Sequence, residues 1–503
     1  MRCKVNQLNG QAVGRGAAYI FIETIVGFIS GYLLWIVLTR ITTPEIIGTS
    51  STVVSLAIIF TTIATMGVPT GASRFLARCF HENNLEKATI IVKVSLILVC
   101  VGIFSSVTIL IIVKDWINVS LDLTLIISTM LIIGSSAIGT LLQSIVIASL
   151  KTKTLPKIMV VASSARTIMV IILVLTHAGA LGIVMGYSFY PILASILLAF
   201  AILGLLRCQE KGKPVVKINN PFKNILNASV PSWIPKLITV LGGANLGTVI
   251  VFGSNGSSEA ASYFLANTIL SGIIATVTPL YEIAYPALSA MSDNRKRFTW
   301  RIIKISMIIL SPLSVSVIFY SHDVINLLGQ DYSDASLSLR ILLLTALPLP
   351  VSVMIGQLVY AYGNYRQVLY LGLASSIPRA VLYFLLVPVF GGTGAATSYL
   401  IGSIIGFVLS TIVAKKIGMI IHWKDLGLII ILSLLPACLF SYFHVNFILG
   451  IISTVVASLI AFLRFKILTK SDVDDSINVL PKEIAKPLAI LFYKVGRALN
   501  SDY

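Results

Sequence analysis

Two arginines lie deep inside long apolar segments of the chain. Arg166 follows Pro156 by about ten residues, and Arg379 follows Gln367 by about twelve. At a helical rise of 1.5 Å per residue these positions are roughly 15–18 Å from the segment starts, too deep for easy snorkelling. A guanidinium stays charged and binds phosphate oxygens through two parallel hydrogen bonds. We therefore expect both arginines to line a cavity and hold a phosphate or pyrophosphate; the alternative is that both reach the cytoplasmic surface.

Four further charged residues are candidates for function. Glu23 and Lys236 are 213 positions apart, the same separation as the two arginines. If this separation reflects an internal repeat, opposite charges occupy equivalent positions of its two copies. This predicts a switchable ion pair with Glu23 as a gating or coupling group and Lys236 assisting at the phosphate; the alternatives are a static pair or a lysine at the headgroups. Glu282 could serve a coupling ion or pair with a nearby base. Arg40, at the outer end of the first segment, could meet a phosphate on exit or anchor at headgroups.

Composition indicates which elements position these residues. The chain has 503 residues, 57% hydrophobic and 11% charged, with a mean hydropathy of +0.96. A soluble protein carries roughly a quarter charged residues, so a soluble enzyme and a disordered chain are excluded. The net charge of +18 fits the cytoplasmic excess of lysine and arginine in membrane proteins better than nucleic-acid binding. The five cysteines form no metal-binding or disulfide framework.

The apolar runs predict an all-α polytopic membrane protein with about fourteen transmembrane helices. The predicted spans are Ala17–Thr39, Thr49–Val68, Ala88–Val113, Leu123–Ile147, Ile158–Thr176, Leu181–Leu206, Ser232–Phe252, Ala261–Met291, Ile302–Tyr320, Leu337–Ala361, Gln367–Val387, Thr393–Ala414, Leu426–Phe443 and Val445–Phe465. Only His444 separates the last two, which form either a hairpin or one re-entrant element. Pro231, Pro235 and Gly242–Gly243 allow the seventh span to bend. Most lysines and arginines fall in alternate loops, which predicts that both termini are cytoplasmic.

An internal repeat divides the chain. Glu45 and Glu259 are 214 positions apart, and Gly182 and Gly394 are 212 apart, close to the offset of the arginines. The chain is therefore predicted to contain two parallel six-helix halves. The predicted boundaries are 1–206 for the first half, 207–231 for a basic cytoplasmic linker, 232–414 for the second half, 415–466 for two additional spans and 467–503 for a cytoplasmic amphipathic tail. The tail predicts an interfacial helix, or alternatively a solvated basic segment.

Such parallel repeats are typical of alternating-access transporters, whose substrates bind between the halves. Basic residues outnumber acids in the predicted spans, which favours an anionic head over an organic cation. The sequence has no Walker A or HExxH motif, and we expect a transporter, not an enzyme.

Three short motifs lie along the chain. A turn after the first helix and a glycine-containing second helix carry the first motif, at Thr39, Arg40, Pro44, Gly48, Gly67, Gly71 and Arg74. The later motifs are a P-x-x-S segment and a P-x-x-G-x-x-GAA turn, at Pro286, Ser289, Pro388, Gly391, Gly394, Ala395 and Ala396. Together these motifs resemble polysaccharide and lipid-linked oligosaccharide flippases of the multidrug/oligosaccharidyl-lipid/polysaccharide exporter superfamily.

The resemblance implies a multi-pass protein of the cell membrane that moves an anionic lipid-linked glycan from the cytoplasmic to the outer leaflet. It implies contact with membrane lipids and with glycosyltransferases of the same pathway, and no cofactor other than a coupling ion. Two alternatives remain open at this point: a cation-coupled multidrug or small-metabolite exporter of the same superfamily, and a non-transporting scaffold for glycan assembly.

Overall fold

The computed structural model describes residues 10–82, 84–113, 122–149, 152–206 and 220–467, and every regular element in these ranges is helical. The first helices are α1 (Gly10–Ile41), α2 (Pro44–Thr65), α3 (Val68–His81), α4 (Leu85–Val113), α5 (Leu123–Ala148), α6 (Leu155–Leu175) and α7 (Gly179–Leu206). The next are α8 (Pro221–Leu241), α9 (Ala244–Asn255), α10 (Ser257–Ala275), α11 (Thr278–Ala290), α12 (Arg295–Phe319) and α13 (Ser321–Asn326). The last are α14 (Ala335–Leu344), α15 (Leu349–Ala361), α16 (Tyr365–Lys416), α17 (Trp423–Tyr442) and α18 (Phe447–Arg464), and 3-10 turns occupy Thr152–Thr154 and Gln330–Tyr332.

The predicted fold class, an all-α polytopic membrane protein, is confirmed. Within the described ranges, nine helices are long and apolar enough to cross a membrane, or up to twelve if each bent pair is one span. The count of fourteen stays a prediction. The interfacial helix predicted in the tail, and most of the basic linker, lie outside the described residues.

Local sequence explains where several helices begin. Pro44 opens α2 in the first turn, where a missing N–H group costs nothing. Asn446 precedes α18, and its Oδ1 accepts a hydrogen bond from the Ile448 N–H at 3.0 Å. His444 has a φ of 50°, which lets the chain reverse between α17 and α18. The last two predicted spans are thus a hairpin of two packed helices instead of one long element.

Three apolar runs bend sharply where a helix is interrupted. α8 and α9 meet at 41° across Gly242–Gly243, the position at which the sequence allows a bend. α10 and α11 meet at 57°, and α14 and α15 meet at 44°. The helix α16, which covers the eleventh and twelfth predicted spans, breaks at Gly391 (φ 53°, ψ −132°). Immediately after this break, the Gly392 N–H donates a hydrogen bond to the Glu259 carboxylate.

The described residues form two compact units. The first is drawn from Met1–Phe264 and Ala380–Ala395, and α2 lies at its centre against α4, α5, α7 and α9. Small side chains such as Ser51 and Ser55 are fully buried on α2, and small residues let neighbouring helices approach closely in membranes. α8 and α9 also belong to this unit because they pack on α3 and α2, so these units do not follow the predicted halves. That division describes the sequence repeat and stays a prediction.

The second unit is drawn from Leu265–Arg379 and Ala396–Tyr503. Its central helix is α12, which packs against α11, α14, α15, α17 and α18. The side chain of Phe462 on α18 is completely buried in this core. Gly450, also on α18, lies so close to the Tyr320 ring that an added Cβ would be 2.2 Å from the phenol oxygen. The terminal hairpin is therefore an integral part of the second unit.

Candidate functional site

Arg166 is buried in the first unit. It projects from α6, and its side chain is only 5% exposed. Its Nη2 donates a hydrogen bond to Ser30 Oγ of α1 at 3.2 Å. Its guanidinium carbon lies 5.1 Å from the ring centre of Tyr187 and 5.3 Å from that of Tyr190, both on α7. The buried Nε has no hydrogen-bond partner among the described residues, so this charged group retains one donor for a ligand.

Arg379, in the second unit, has a closely related environment. Its guanidinium carbon lies 4.1 Å from the ring centre of Tyr399, and its Nη2 donates to Ser403 Oγ at 2.8 Å. Its side chain is partly buried, and its Nε also has no hydrogen-bond partner in the part of the chain that the structure describes. Both predicted phosphate-binding arginines therefore lie against a tyrosine ring and a serine hydroxyl.

The two tyrosines are related by the internal repeat. Tyr187 and Tyr399 are 212 positions apart, the same offset as Gly182 and Gly394, and each follows its glycine by five residues. The sequence reasoning missed both tyrosines. The signal that could have found them is the repeat offset itself, applied to aromatic residues as well as to charged ones.

Glu23 lines a small cavity in the first unit. Its side chain is 5% exposed, and its Oε1 accepts a hydrogen bond from Gln143 Nε2 of α5 at 2.7 Å. The two side chains line a cavity of about 130 Å³ together with Ser136, Thr140 and Tyr190. A carboxylate beside an amide and hydroxyl groups can take up a proton or a small cation. Gln143 was not predicted; its signal is an amide within an apolar span.

The remaining predicted residues lie apart from the Glu23 cavity. Lys236 is exposed on α8, and no ion pair joins it to Glu23 within the described residues, because the register of α8 directs this lysine to an exposed face. Glu282 is exposed on α11, and Arg40 is exposed in the last turn of α1. The described residues contain no group of three or more His, Cys, Asp or Glu side chains that could hold a metal ion.

The chain matches one protein family by sequence and several membrane transporters by structure. The family described as "Polysaccharide biosynthesis protein" matches residues 13–292. No curated protein matches the chain by sequence. The structure of the lipid II flippase MurJ in an inward closed conformation is similar, with a TM-score of 0.65 and 16% identity, covering 90% of this chain and 100% of MurJ. An inward-facing multidrug resistance MATE family transporter of the MOP superfamily has a TM-score of 0.60 and 15% identity, covering 81% of this chain and 99% of its own.

The family match confirms the resemblance to polysaccharide biosynthesis proteins that the short motifs indicate. The fold is similar to that of a lipid II flippase and of a multidrug transporter of the MOP superfamily, which agrees with a multi-pass membrane protein. At such low sequence identities, structural similarity establishes the fold but not the substrate. The substrate is inferred from the residues of the site.

Proposed function

Because the chain belongs to the polysaccharide biosynthesis protein family, we propose that it is a flippase for a polyprenyl-phosphate- or pyrophosphate-linked oligosaccharide. It would move this substrate from the cytoplasmic to the outer leaflet of the cell membrane by alternating access. The observation that carries the proposal is the repeated arginine–tyrosine pair, Arg166 with Tyr187 and Arg379 with Tyr399.

The chemistry of this pair suits a phosphate. Buried polar groups normally have hydrogen-bond partners, and each guanidinium keeps a buried Nε–H without one among the described residues. A phosphate oxygen would satisfy this donor and balance the positive charge. The tyrosine ring holds the guanidinium plane in place, which lowers the entropy lost when the ligand binds. Exposed Lys236 and Arg40 would assist the phosphate as it enters and leaves.

Glu23 and Glu282 would couple the movement to an ion. The hydrogen bond from Gln143 holds the Glu23 carboxylate at the cavity, where protonation or cation binding would change the local charge. Glu282 is a second acid open to a small ion. Glycosyltransferases of the same pathway would supply the lipid-linked substrate on the cytoplasmic side.

The test is a flipping assay in proteoliposomes with a fluorescent polyprenyl-pyrophosphate-linked oligosaccharide. A hydrogen bond to a charged group contributes about 1.5–3 kcal/mol, so each of Arg166→Ala and Arg379→Ala should slow flipping by about 10- to 100-fold, and the double variant more. Arg340→Ala is the matched control, because that arginine is exposed and its Nε donates a hydrogen bond to Ser321 Oγ at 2.6 Å. Wild-type flipping by a folded double variant would disprove the site.

The cavity at Glu23 favours a second function, the cation-coupled export of an organic cation. The same liposomes loaded with ethidium distinguish the two. The flippase proposal predicts glycan flipping without dye efflux, whereas efflux that requires Glu23, with no glycan flipping, would replace it. A scaffold protein would do neither.

A further inference from the structure

The two arginine sites differ at one position of the repeat. Counting by the offset of 212 that relates Tyr187 to Tyr399, the residue equivalent to Tyr190 is Gly402. The Tyr190 ring lies 5.3 Å from the Arg166 guanidinium carbon. Gly402 instead lies against the stem of Arg379, and a Cβ added there would be 2.1 Å from the arginine Cγ. The first site therefore has a second aromatic ring where the second site has no side chain.

This difference parallels the exposure of the two arginine residues. Arg166 is 5% exposed, whereas Arg379 is only partly buried. Each has one tyrosine at the same repeat position, but the serine near Arg166 belongs to α1, which packs on α6, whereas Ser403 belongs to α16 itself. Besides α1, the Tyr190 ring lies over Arg166, and it also lines the cavity that contains Glu23.

We propose that Tyr190 and Gly402 make the two arginines unequal phosphate sites. In the state that the structure describes, the partly exposed Arg379 is the first to meet a lipid-linked phosphate, and Arg166 becomes available only when the Tyr190 ring moves away. Movement of this ring would join Arg166 to the Glu23 cavity, because Tyr190 contacts both. Tyr190 thereby determines when the first site can accept phosphate. This inference rests on the proposed role of the arginines in phosphate binding.

Arginine modification tests the covering role of the ring directly. The purified protein is treated with phenylglyoxal, and mass spectrometry follows the modification rate of each arginine. In the wild type, Arg379 should react and Arg166 should be protected. Tyr190→Ala should raise the rate at Arg166 by about tenfold or more, a gain that corresponds to the loss of roughly 1.4 kcal/mol of protection.

Tyr190→Phe is the matched control because it keeps the ring, and it should protect Arg166 as the wild type does. The modification rate of exposed Arg340 calibrates the reagent in each variant, and thermal unfolding in detergent reports whether each variant remains folded. Equal rates at Arg166 in the wild type and in folded Tyr190→Ala would overturn the inference, as would an Arg379 protected as strongly as Arg166.

Ligand protection separates this inference from the proposed function. Farnesyl pyrophosphate should slow modification of Arg379 in the wild type and of both arginines in Tyr190→Ala, and farnesol should protect neither. Equal protection of both arginines in the wild type would overturn the inequality while supporting phosphate binding. Protection of neither arginine in any variant would overturn phosphate binding, and the inference with it.

Discussion

The Glu259 carboxylate accepts a hydrogen bond from the backbone N–H of Gly392 at 2.9 Å. Glu259 lies in the first turn of α10, and Gly392 lies just after the break in α16, so the bond links two segments of the first unit that are distant in sequence. A carboxylate at this position satisfies an N–H group that the break leaves without a helical acceptor. It also interacts favourably with the positive end of the following helix.

This contact makes Gly391 intolerant of any side chain. Gly391 has a φ of 53°, and an added Cβ would be 1.9 Å from Glu259 Oε1. We expect Gly391→Ala to lower the free energy of unfolding by about 2–5 kcal/mol, because backbone strain and steric overlap both contribute. Thermal unfolding in detergent, followed by tryptophan fluorescence, measures the loss.

The repeat supplies the control for this prediction. Gly179 is the equivalent residue in the first half and has a φ of 57°, but an added Cβ would meet nothing within 4 Å. Gly179→Ala should therefore lower the free energy of unfolding only through backbone strain, by about 1–2 kcal/mol. Glu259→Ala combined with Gly391→Ala should recover part of the stability lost in the single glycine variant. Equal losses for the two glycine variants would contradict the steric explanation.

Tyr399 is expected to act through Arg379, as a positioning residue. A cation–π contact contributes about 0.5–2 kcal/mol, so Tyr399→Leu should raise the KM for the lipid-linked substrate by about 2- to 30-fold with little change in kcat. Tyr399→Phe keeps the ring and should retain a wild-type KM. An equal rise in KM for the Phe and Leu variants would show that the hydroxyl, and not the ring, is required.

Glu23 is expected to carry the coupling. Glu23→Gln keeps the size of the side chain but removes its charge, so flipping should no longer respond to an imposed proton or sodium gradient. The measurement compares liposomes with and without each gradient. Asp331→Asn, an exposed acid in a 3-10 turn, is the control and should respond as the wild type does. A gradient response that survives Glu23→Gln would assign the coupling to another group.

The predicted topology places His444 outside and Asn364 in the cytoplasm, and both side chains are exposed. In a cysteine-free background, His444→Cys should react with a membrane-impermeant maleimide in intact cells. Asn364→Cys should react only after the membrane is permeabilised. If Asn364→Cys reacts in intact cells and His444→Cys reacts only after permeabilisation, both termini face the outside, opposite to the prediction.

Hydropathy predicted the helical class well because apolar runs of about twenty residues have few other solutions in a bilayer. The bend at Gly242–Gly243 was also predictable, since adjacent glycines weaken a helix. The bends between α10 and α11 and between α14 and α15 were not predicted. They interrupt continuous apolar runs, and composition alone does not reveal where a helix ends inside such a run.

Charged site residues were easier to predict than their partners. Arg166 and Glu23 stand out in apolar surroundings, but Tyr187, Tyr190 and Gln143 are compatible with ordinary packing. The expected pairing of Glu23 with Lys236 came from repeat symmetry, which sets equivalent positions and does not bring two equivalent residues into contact. Contact depends on the direction of each side chain around its helix.

The terminal hairpin limits how a lipid tail can approach the second unit. α17 and α18 pack on α12, with Phe462 completely buried in that unit's core. This flank of α12 is covered by protein. If the proposed lipid-linked substrate is correct, its prenyl tail would enter the second unit through a part of the perimeter that the hairpin does not cover.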